Sequence, residues 1–274
     1  MHEYCSLRIP PHRRGGSVNS CLLLMVTSAA IRHYIKYSCF IWRLLTMYLL
    51  IPAAGMGKRM GSDRNKLLLS LLERPILAWT LLAAQASVEI NCIGIISQPI
   101  DYEAINTILE SLNLSKPVQL IQGGATRQES VYNGLKALPP EAQQVLIHDG
   151  ARCLATPGLF DRCAFSVREC AGLIAAIPVK DTIKVVDSSG IITSTPDRKN
   201  LWAAQTPQGF DVKLLLECHQ LGVENGWEVT DDAALFEKCG YKVKVVAGEE
   251  TNLKVTTPQD LAIAEFILNQ RGTN

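Results

Sequence analysis

The sequence has no apolar run approaching the roughly 18 to 20 residues that a membrane-spanning helix needs, which excludes a helical membrane protein. Charge of one sign is not in excess either. Twenty-seven basic residues face 26 acidic ones, a formal net charge of +1, so the strongly basic balance of a nucleic-acid binder is missing. The nine cysteines form an odd set with no Cys-x-x-Cys pair and no histidine at zinc-finger spacing. That argues against a structural zinc site and predicts reduced thiols in a reducing compartment, the cytoplasm. No internal repeat or low-complexity tract occurs. What is plentiful is apolar: 47% of residues are hydrophobic and 19% charged, enough to bury a sizeable core.

Residues 1–46 differ from the rest. They hold three of the nine cysteines, three of the five histidines and 6 Lys/Arg against the single acid Glu3, leaving a mildly acidic balance of 21 to 25 for residues 47–274. The apolar stretch from Cys21 to Ile31, flanked by Arg13, Arg14 and Arg32, matches a signal peptide poorly, because Arg32, Tyr34, Lys36, Phe40 and Trp42 follow it. The segment is Arg-containing and acid-poor like a transit peptide, which would direct the protein to a plastid stroma, yet it lacks a clear amphipathic period. Residues 1–46 are therefore expected to be an extension outside the fold, with Met47 as the working start.

From Met47 onward strand-length apolar runs (48–53, 92–97, 118–122, 145–148, 172–179, 241–246) alternate with segments of helical spacing (75–86, 102–112, 126–138, 157–170, 212–224, 232–238, 258–268). Apolar runs that are continuous predict a sheet covered on both faces, hence a mostly parallel α/β architecture. Residues 182–187 and 191–195, around Ser188-Ser189-Gly190, break the rhythm and predict a hairpin with no slot in that sheet, so an arm at about 181–199 should project.

The loop after the first strand, Pro52-Ala53-Ala54-Gly55-Met56-Gly57-Lys58-Arg59-Met60-Gly61-Ser62-Asp63-Arg64-Asn65-Lys66, carries the strongest chemical signal. Small residues at a strand's carboxyl end let backbone N–H groups approach phosphate oxygens. A dinucleotide fingerprint would need glycine where Met60 stands and an acid where Ser97 and Gln98 stand; a P-loop would need Gly-Lys-Ser/Thr after a four-residue spacer. Both fail. What remains is a nucleoside-triphosphate loop whose cations, Arg59 and Lys66, stabilise charge that develops on the phosphate oxygens.

That loop is followed by Gly123-Gly124-Ala125-Thr126-Arg127-Gln128-Glu129-Ser130-Val131, His148-Asp149-Gly150-Ala151-Arg152, Pro178-Val179-Lys180-Asp181-Thr182-Ile183-Lys184, Leu201-Trp202-Ala203-Ala204-Gln205-Thr206-Pro207-Gln208 and Asn252-Leu253-Lys254-Val255-Thr256. This ordered set closely resembles the 2-C-methyl-D-erythritol 4-phosphate cytidylyltransferases of the non-mevalonate isoprenoid pathway, over essentially all of residues 47–270. The resemblance implies a Rossmann-like fold of the nucleotide-diphospho-sugar transferase type and a homodimer that exchanges its hairpin arms. It implies transfer of CMP from CTP to the polyol phosphate, with Mg²⁺ or another divalent cation held mainly by the CTP phosphates. Pro52, Ala53, Ala54, Gly55 and Gly57 are then expected to line cytosine and triphosphate, with backbone groups of Ala53, Ala54 and Gly124 reading the base. Gly124, Arg127 and Ser130 should meet the nucleoside, Asp149 and Arg152 both substrates. Arg59, Lys66 and Lys254 should supply catalytic charge. Thr182 and Arg198 should serve the partner subunit's acceptor, and Thr230 and Thr256 should lie near substrate. Two positions depart from the family pattern: Ala125 stands where an acid is frequent, and Cys153 where proline is usual.

Several of these residues also have plainer readings. Thr126 and Glu129 form a helix-capping pair, and Thr230 reads as an N-cap before Asp231. His148 reads as a packed histidine, since a substrate phosphate already ionised near pH 7 needs no base. Asp149 is the one candidate metal ligand. The nearest rival function is a ribitol 5-phosphate cytidylyltransferase, which shares the loop and the Asp-Gly-Ala-Arg motif; a non-catalytic nucleotide-binding module would not need Arg59 and Lys66.

Overall fold

The computed structural model of the chain describes residues 46–55 and 65–272. The extension 1–46, except Thr46, lies outside the described residues, as do Gly57 and Arg59.

Seven strands build the central sheet: β1 (Met47–Pro52), β4 (Ile90–Ser97), β5 (Val118–Gln122), β6 (Gln144–Ile147), β7 (Gly172–Pro178), β10 (Trp202–Asp211) and β11 (Lys244–Ala247). Their order is β11-β7-β10-β6-β1-β4-β5, and every pairing is parallel except those of β10 with β6 and β7. Short pairs stand apart from this sheet: β2 (Ser70–Leu71) with β3 (Arg74–Pro75), and β8 (Val185–Val186) with β9 (Ile192–Ser194).

Side chains along each strand alternate between two cores, which is why the strands read as unbroken apolar runs. Leu49 and Ile51 of β1, Ile93 and Ile95 of β4 and Leu146 of β6 join one core with α1 (Ile76–Ala86), α2 (Tyr102–Leu112), α4 (Pro157–Val167) and α7 (Pro258–Gly272). Leu50, Ile96, Val145 and Ile147 face the other core with α3 (Arg127–Lys136), α5 (Val212–Glu224) and α6 (Asp232–Lys238). Helices on both faces make the sheet doubly wound. The chain runs outward from β1 through β4 to β5 and then returns to place β6 on β1's other side. That reversal opens a crevice at the carboxyl ends of β1 and β6.

The main departure from expectation is β10, ten residues long and central, although Ala203-Ala204-Gln205-Thr206-Pro207-Gln208 carries no strand-like apolar pattern. Its buried polar side chains find partners off the strand: Gln205 Nε2 donates to the Glu249 carbonyl, and Gln208 Nε2 donates to Asp231. Pro207, which has no N–H to donate, falls where the register to β7 shifts between Ala204 and Gln208. The strand expected from Tyr241 begins at Lys244 instead. Tyr241 is used to close α6, donating its N–H to the Phe236 carbonyl across Gly240 at φ +85°, a left-handed stop that favours glycine.

The hairpin does form a sheet of its own. Ile183, Val185, Val186, Ile191 and Ile192 are exposed on it. At its tip Asp187 Oδ1 accepts from the N–H groups of Ser189 and Ile191, and an exposed Lys180–Glu250 ion pair sits at its base.

Candidate active site

At the β1/β6 crevice lies a cavity of about 330 Å³. Ten predicted residues line it: Pro52, Ala53, Ala54 and Gly55 from the end of β1, Lys66 where the loop returns, Gly124, Arg127 and Ser130 around the start of α3, Asp149 after β6, and Lys254 before α7. Among the described residues the lining therefore carries three cations and one carboxylate, in a part of the chain whose overall balance is acidic. Such a local excess suits a polyanion.

The loops are held by residues buried for that purpose. Asn65 donates from Nδ2 to the Ala53 carbonyl at 2.6 Å and to Asp101 at 2.9 Å, while its Oδ1 accepts from the Leu67 N–H. Lys66 is thereby fixed at the cavity wall, where its Nζ donates to the Val255 carbonyl at 3.0 Å. On the opposite wall Ser130 Oγ accepts from the Gly124 N–H and donates to the Thr126 carbonyl. A Cβ on Gly123 would meet that of Ala54 at 2.8 Å, so only glycine lets the two walls approach this closely. Thr126 caps α3 by accepting from the Glu129 N–H, and the Glu129 carboxylate accepts from the Ala125 N–H, in keeping with the expected capping pair.

These bonds revise the account of base reading. The Ala53 N–H donates to the Ile96 carbonyl and the Gly124 N–H to Ser130, so neither amide faces a ligand. The carbonyls of Ala53 and Gly124 each take one donor, from Asn65 and Gln98, and keep a second lone pair.

Asp149 is the electrostatic centre. Lys254 Nζ lies 2.7 Å from its Oδ2 and Arg127 Nε lies 3.4 Å from its Oδ1. Burial alone would raise the carboxyl's pKa; Arg127, Lys254 and Arg152 outweigh it and hold the group ionised, well below the usual carboxylate range. Arg127 is shifted upward: burial opposes its charge, but Asp232 and Asp149 prevail. The Asp149 N–H donates to Thr206 Oγ1, which shares a 3.0 Å bond with His148 Nδ1. His148 is fully buried, its Nε2 lies 3.1 Å from the Arg152 carbonyl, and burial pushes its pKa down to about 4. It is a packed neutral imidazole that orients the Asp149 loop.

The other predicted residues among those described lie outside the cavity lining. Arg152 spends its guanidinium on the carbonyls of Asn252 (2.7 Å) and Ala204 (3.2 Å), pinning the Lys254 loop to β10. Thr256 donates its hydroxyl to Asp260 at 2.8 Å within the cap of α7. Thr230 is exposed and is not the cap of α6; Asp231 is, accepting from the Ala234 N–H. Thr182 and Arg198 sit on the exposed arm. Cys153, despite replacing the usual proline, leaves the Asp149–Arg152 turn formed, and its buried thiol, like that of Cys163, is pushed up to about 12. All six cysteines among the described residues are free.

Among the described residues no cluster of three His, Cys, Asp or Glu side chains is arranged to hold a metal, and Asp149, the only carboxylate on the cavity wall, already faces two cations. Asn65, Gln98, Thr206 and Asn252 are the site residues that motif spacing did not single out. Their signal is amide or hydroxyl chemistry at a strand end, which a sequence shows only once the strands are placed.

The family model for 2-C-methyl-D-erythritol 4-phosphate cytidylyltransferase matches residues 47–270. Curated proteins of that name from Nostoc sp. and Nostoc punctiforme are 73% identical over 228 residues and 74% over 226 residues, covering 83% and 82% of this chain and 100% of each relative. A solved 4-diphosphocytidyl-2C-methyl-D-erythritol synthase from Anaerococcus prevotii is 34% identical with a TM-score of 0.74, over 82% of this chain and 99% of that one. The Thermus thermophilus cytidylyltransferase structure is 32% identical at 0.65, over 81% and 98%.

Proposed function

The chain belongs to the 2-C-methyl-D-erythritol 4-phosphate cytidylyltransferase family, and from that premise we propose how its cavity carries out the reaction. The enzyme transfers the cytidylyl group of CTP to 2-C-methyl-D-erythritol 4-phosphate and releases pyrophosphate, in isoprenoid precursor synthesis. The family and its relatives' names favour this acceptor over ribitol 5-phosphate.

The observation that carries the site reading is one cavity at the sheet's switch point lined by Lys66, Arg127, Lys254 and Asp149, with Arg127 and Lys254 paired to Asp149. CTP lies with its base against Ala53, Ala54 and Gly124 and its phosphates toward Lys66, and Arg59 joins Lys66 in stabilising the transition state. The acceptor phosphate, oriented by Lys254, attacks the α-phosphorus in line; a new P–O bond forms as the bond to pyrophosphate breaks. No side-chain base takes part, because the nucleophile is already an anion. Positioning and fixed charge carry the catalysis. Asp149 holds Lys254 and Arg127 in place before the substrates are seated. The divalent cation, Mg²⁺ or another, travels with the CTP phosphates.

The functional unit is residues 47–274, working in the cytoplasm as a homodimer whose arms cross, so that Thr182 and Arg198 reach the partner subunit's acceptor. Among the described residues no helix is long and apolar enough to cross a membrane. Purified protein given CTP, Mg²⁺ and either polyol phosphate tests the whole reading. Pyrophosphate release with the methylerythritol phosphate supports it. Release only with ribitol 5-phosphate overturns the acceptor, and CTP binding without release under either condition overturns the enzyme.

A further inference from the structure

Asp232 is 1% exposed, one of the few charged side chains in the interior. A carboxylate buried this deeply needs a cation, and the cation it faces belongs to the nucleotide cavity: Arg127 Nη1 lies 2.8 Å from Asp232 Oδ2, while His219 Nε2 lies 3.3 Å from Oδ1. Arg127 thus spans two carboxylates, with Nη1 toward Asp232 and Nε toward Asp149 at 3.4 Å. A planar guanidinium can make this fork; a single ammonium cannot.

Both carboxylates are suspended from one strand. Gln208 of β10 holds the start of α6, donating to Asp231 Oδ2 at 2.8 Å and accepting from the Ala233 N–H at 3.1 Å, and so fixes Asp232 between them. Two residues earlier on β10, Thr206 accepts from the Asp149 N–H at 3.0 Å. Their separation is therefore set by β10, and Arg127 bridges it.

We propose that Asp232 is a positioning residue for the nucleotide site: by holding one arm of Arg127 it prevents Arg127 from chelating Asp149 with two nitrogens, which leaves Asp149 Oδ2 to Lys254. If stability alone were at stake, well-packed apolar residues would serve the core as well or better. The inference rests on the cavity being the CTP site. It adds a residue that contacts neither substrate and acts through another side chain.

Asp232→Asn keeps the shape and removes the charge, and CTP binding in the presence of Mg²⁺, measured by calorimetry, reads the effect. The dissociation constant should rise about tenfold in the wild-type background and less than about twofold in an Arg127→Lys background, where the bridge is already lost. Equal losses in the two backgrounds would mean that Asp232 acts independently of Arg127, and the proposal would fall. Gln208→Leu alters the tether with every charge in place and should weaken CTP about threefold; it carries the test if Asp232→Asn does not fold, and unchanged binding then sinks the proposal. Wild-type protein that does not bind CTP overturns the functional reading together with this inference. Wild-type binding that Asp232→Asn leaves unchanged overturns this inference alone.

Discussion

Lys66 reaches across 189 residues of sequence to donate its ammonium to the Val255 carbonyl, and so stands beside Lys254 at the mouth of the crevice. Both lysines line the same cavity, and each is held by a partner from another part of the chain. Asp149 satisfies one of them, with its Oδ2 2.7 Å from Lys254 Nζ. The Val255 carbonyl that accepts from Lys66 is neutral, a partner that a phosphate oxygen can replace.

Lys66 is accordingly expected to act on the transition state more than on ground-state binding. Lys66→Ala should lower kcat by roughly 10² to 10³, about 2.7 to 4 kcal/mol, while the apparent affinity for CTP changes much less. Steady-state kinetics with CTP varied at saturating acceptor decides the matter. A normal kcat with only a raised KM would reduce Lys66 to a binding group.

Discrimination against UTP follows from the internal bonds of the base pocket. The amides of Ala53 and Gly124 are used within the protein, so what they offer a base is carbonyl oxygen. Cytosine's exocyclic amine can donate to such an acceptor; uracil presents an oxygen there and leaves it unpaired. The kcat/KM for UTP should fall below that for CTP by at least about 10². Equal turnover of the two nucleotides would remove the carbonyl account.

Stability below neutral pH should follow His148. Its pKa is about 4 in the fold and about 6.5 unfolded, because burial disfavours the imidazolium, so between those values the unfolded chain binds the additional proton. Its contribution is fully present above pH ~6.5 and is lost as pH falls toward about 4. The melting temperature should decline over that window, and His148→Gln should flatten the decline even if the variant is less stable overall. An unchanged slope would show that His148 is not the group responsible. The Asp149 carboxyl is also shifted down, by its cations rather than by burial, so its contribution is lost only at lower pH, where protonation removes the stabilising charge.

What could be read from the sequence, and what could not, follows from how each residue is used. The strands β1, β4, β5 and β6 and the helices between them carry apolar periodicity; of the ten cavity-lining residues, those of the Pro52–Lys66 loop and Asp149 are legible as small residues, a cation and a carboxylate at strand ends, whereas Gly124, Arg127, Ser130 and Lys254 come from the family resemblance. β10 stayed hidden because Gln205, Thr206 and Gln208 are buried by hydrogen bonding to Glu249, His148 and Asp231, partners 23 to 58 residues away. Arg152 and Thr256 illustrate the converse. The family resemblance puts them near substrate, and their hydrogen bonds hold the Lys254 loop and cap α7.

The arm is the part whose purpose a single chain leaves incomplete. Ile183, Val185, Val186, Ile191 and Ile192 are all at least 40% exposed on a two-stranded sheet that belongs to no larger one. Such edges and faces are covered at least cost by a second copy related by two-fold symmetry. If the arms cross, Arg198 completes the site that contains the other chain's Lys66. Separately purified Lys66→Ala and Arg198→Ala proteins should then each be nearly inactive. After unfolding and co-refolding in equal amounts, half of the dimers are mixed, and each mixed dimer holds one site with both native residues and one with neither. Activity should recover to about a quarter of wild type, whereas mixing without subunit exchange should recover nothing. Mixed dimers that form, as shown by differently tagged chains co-purifying, yet remain inactive would place Arg198 outside the partner's site and end the shared-site account.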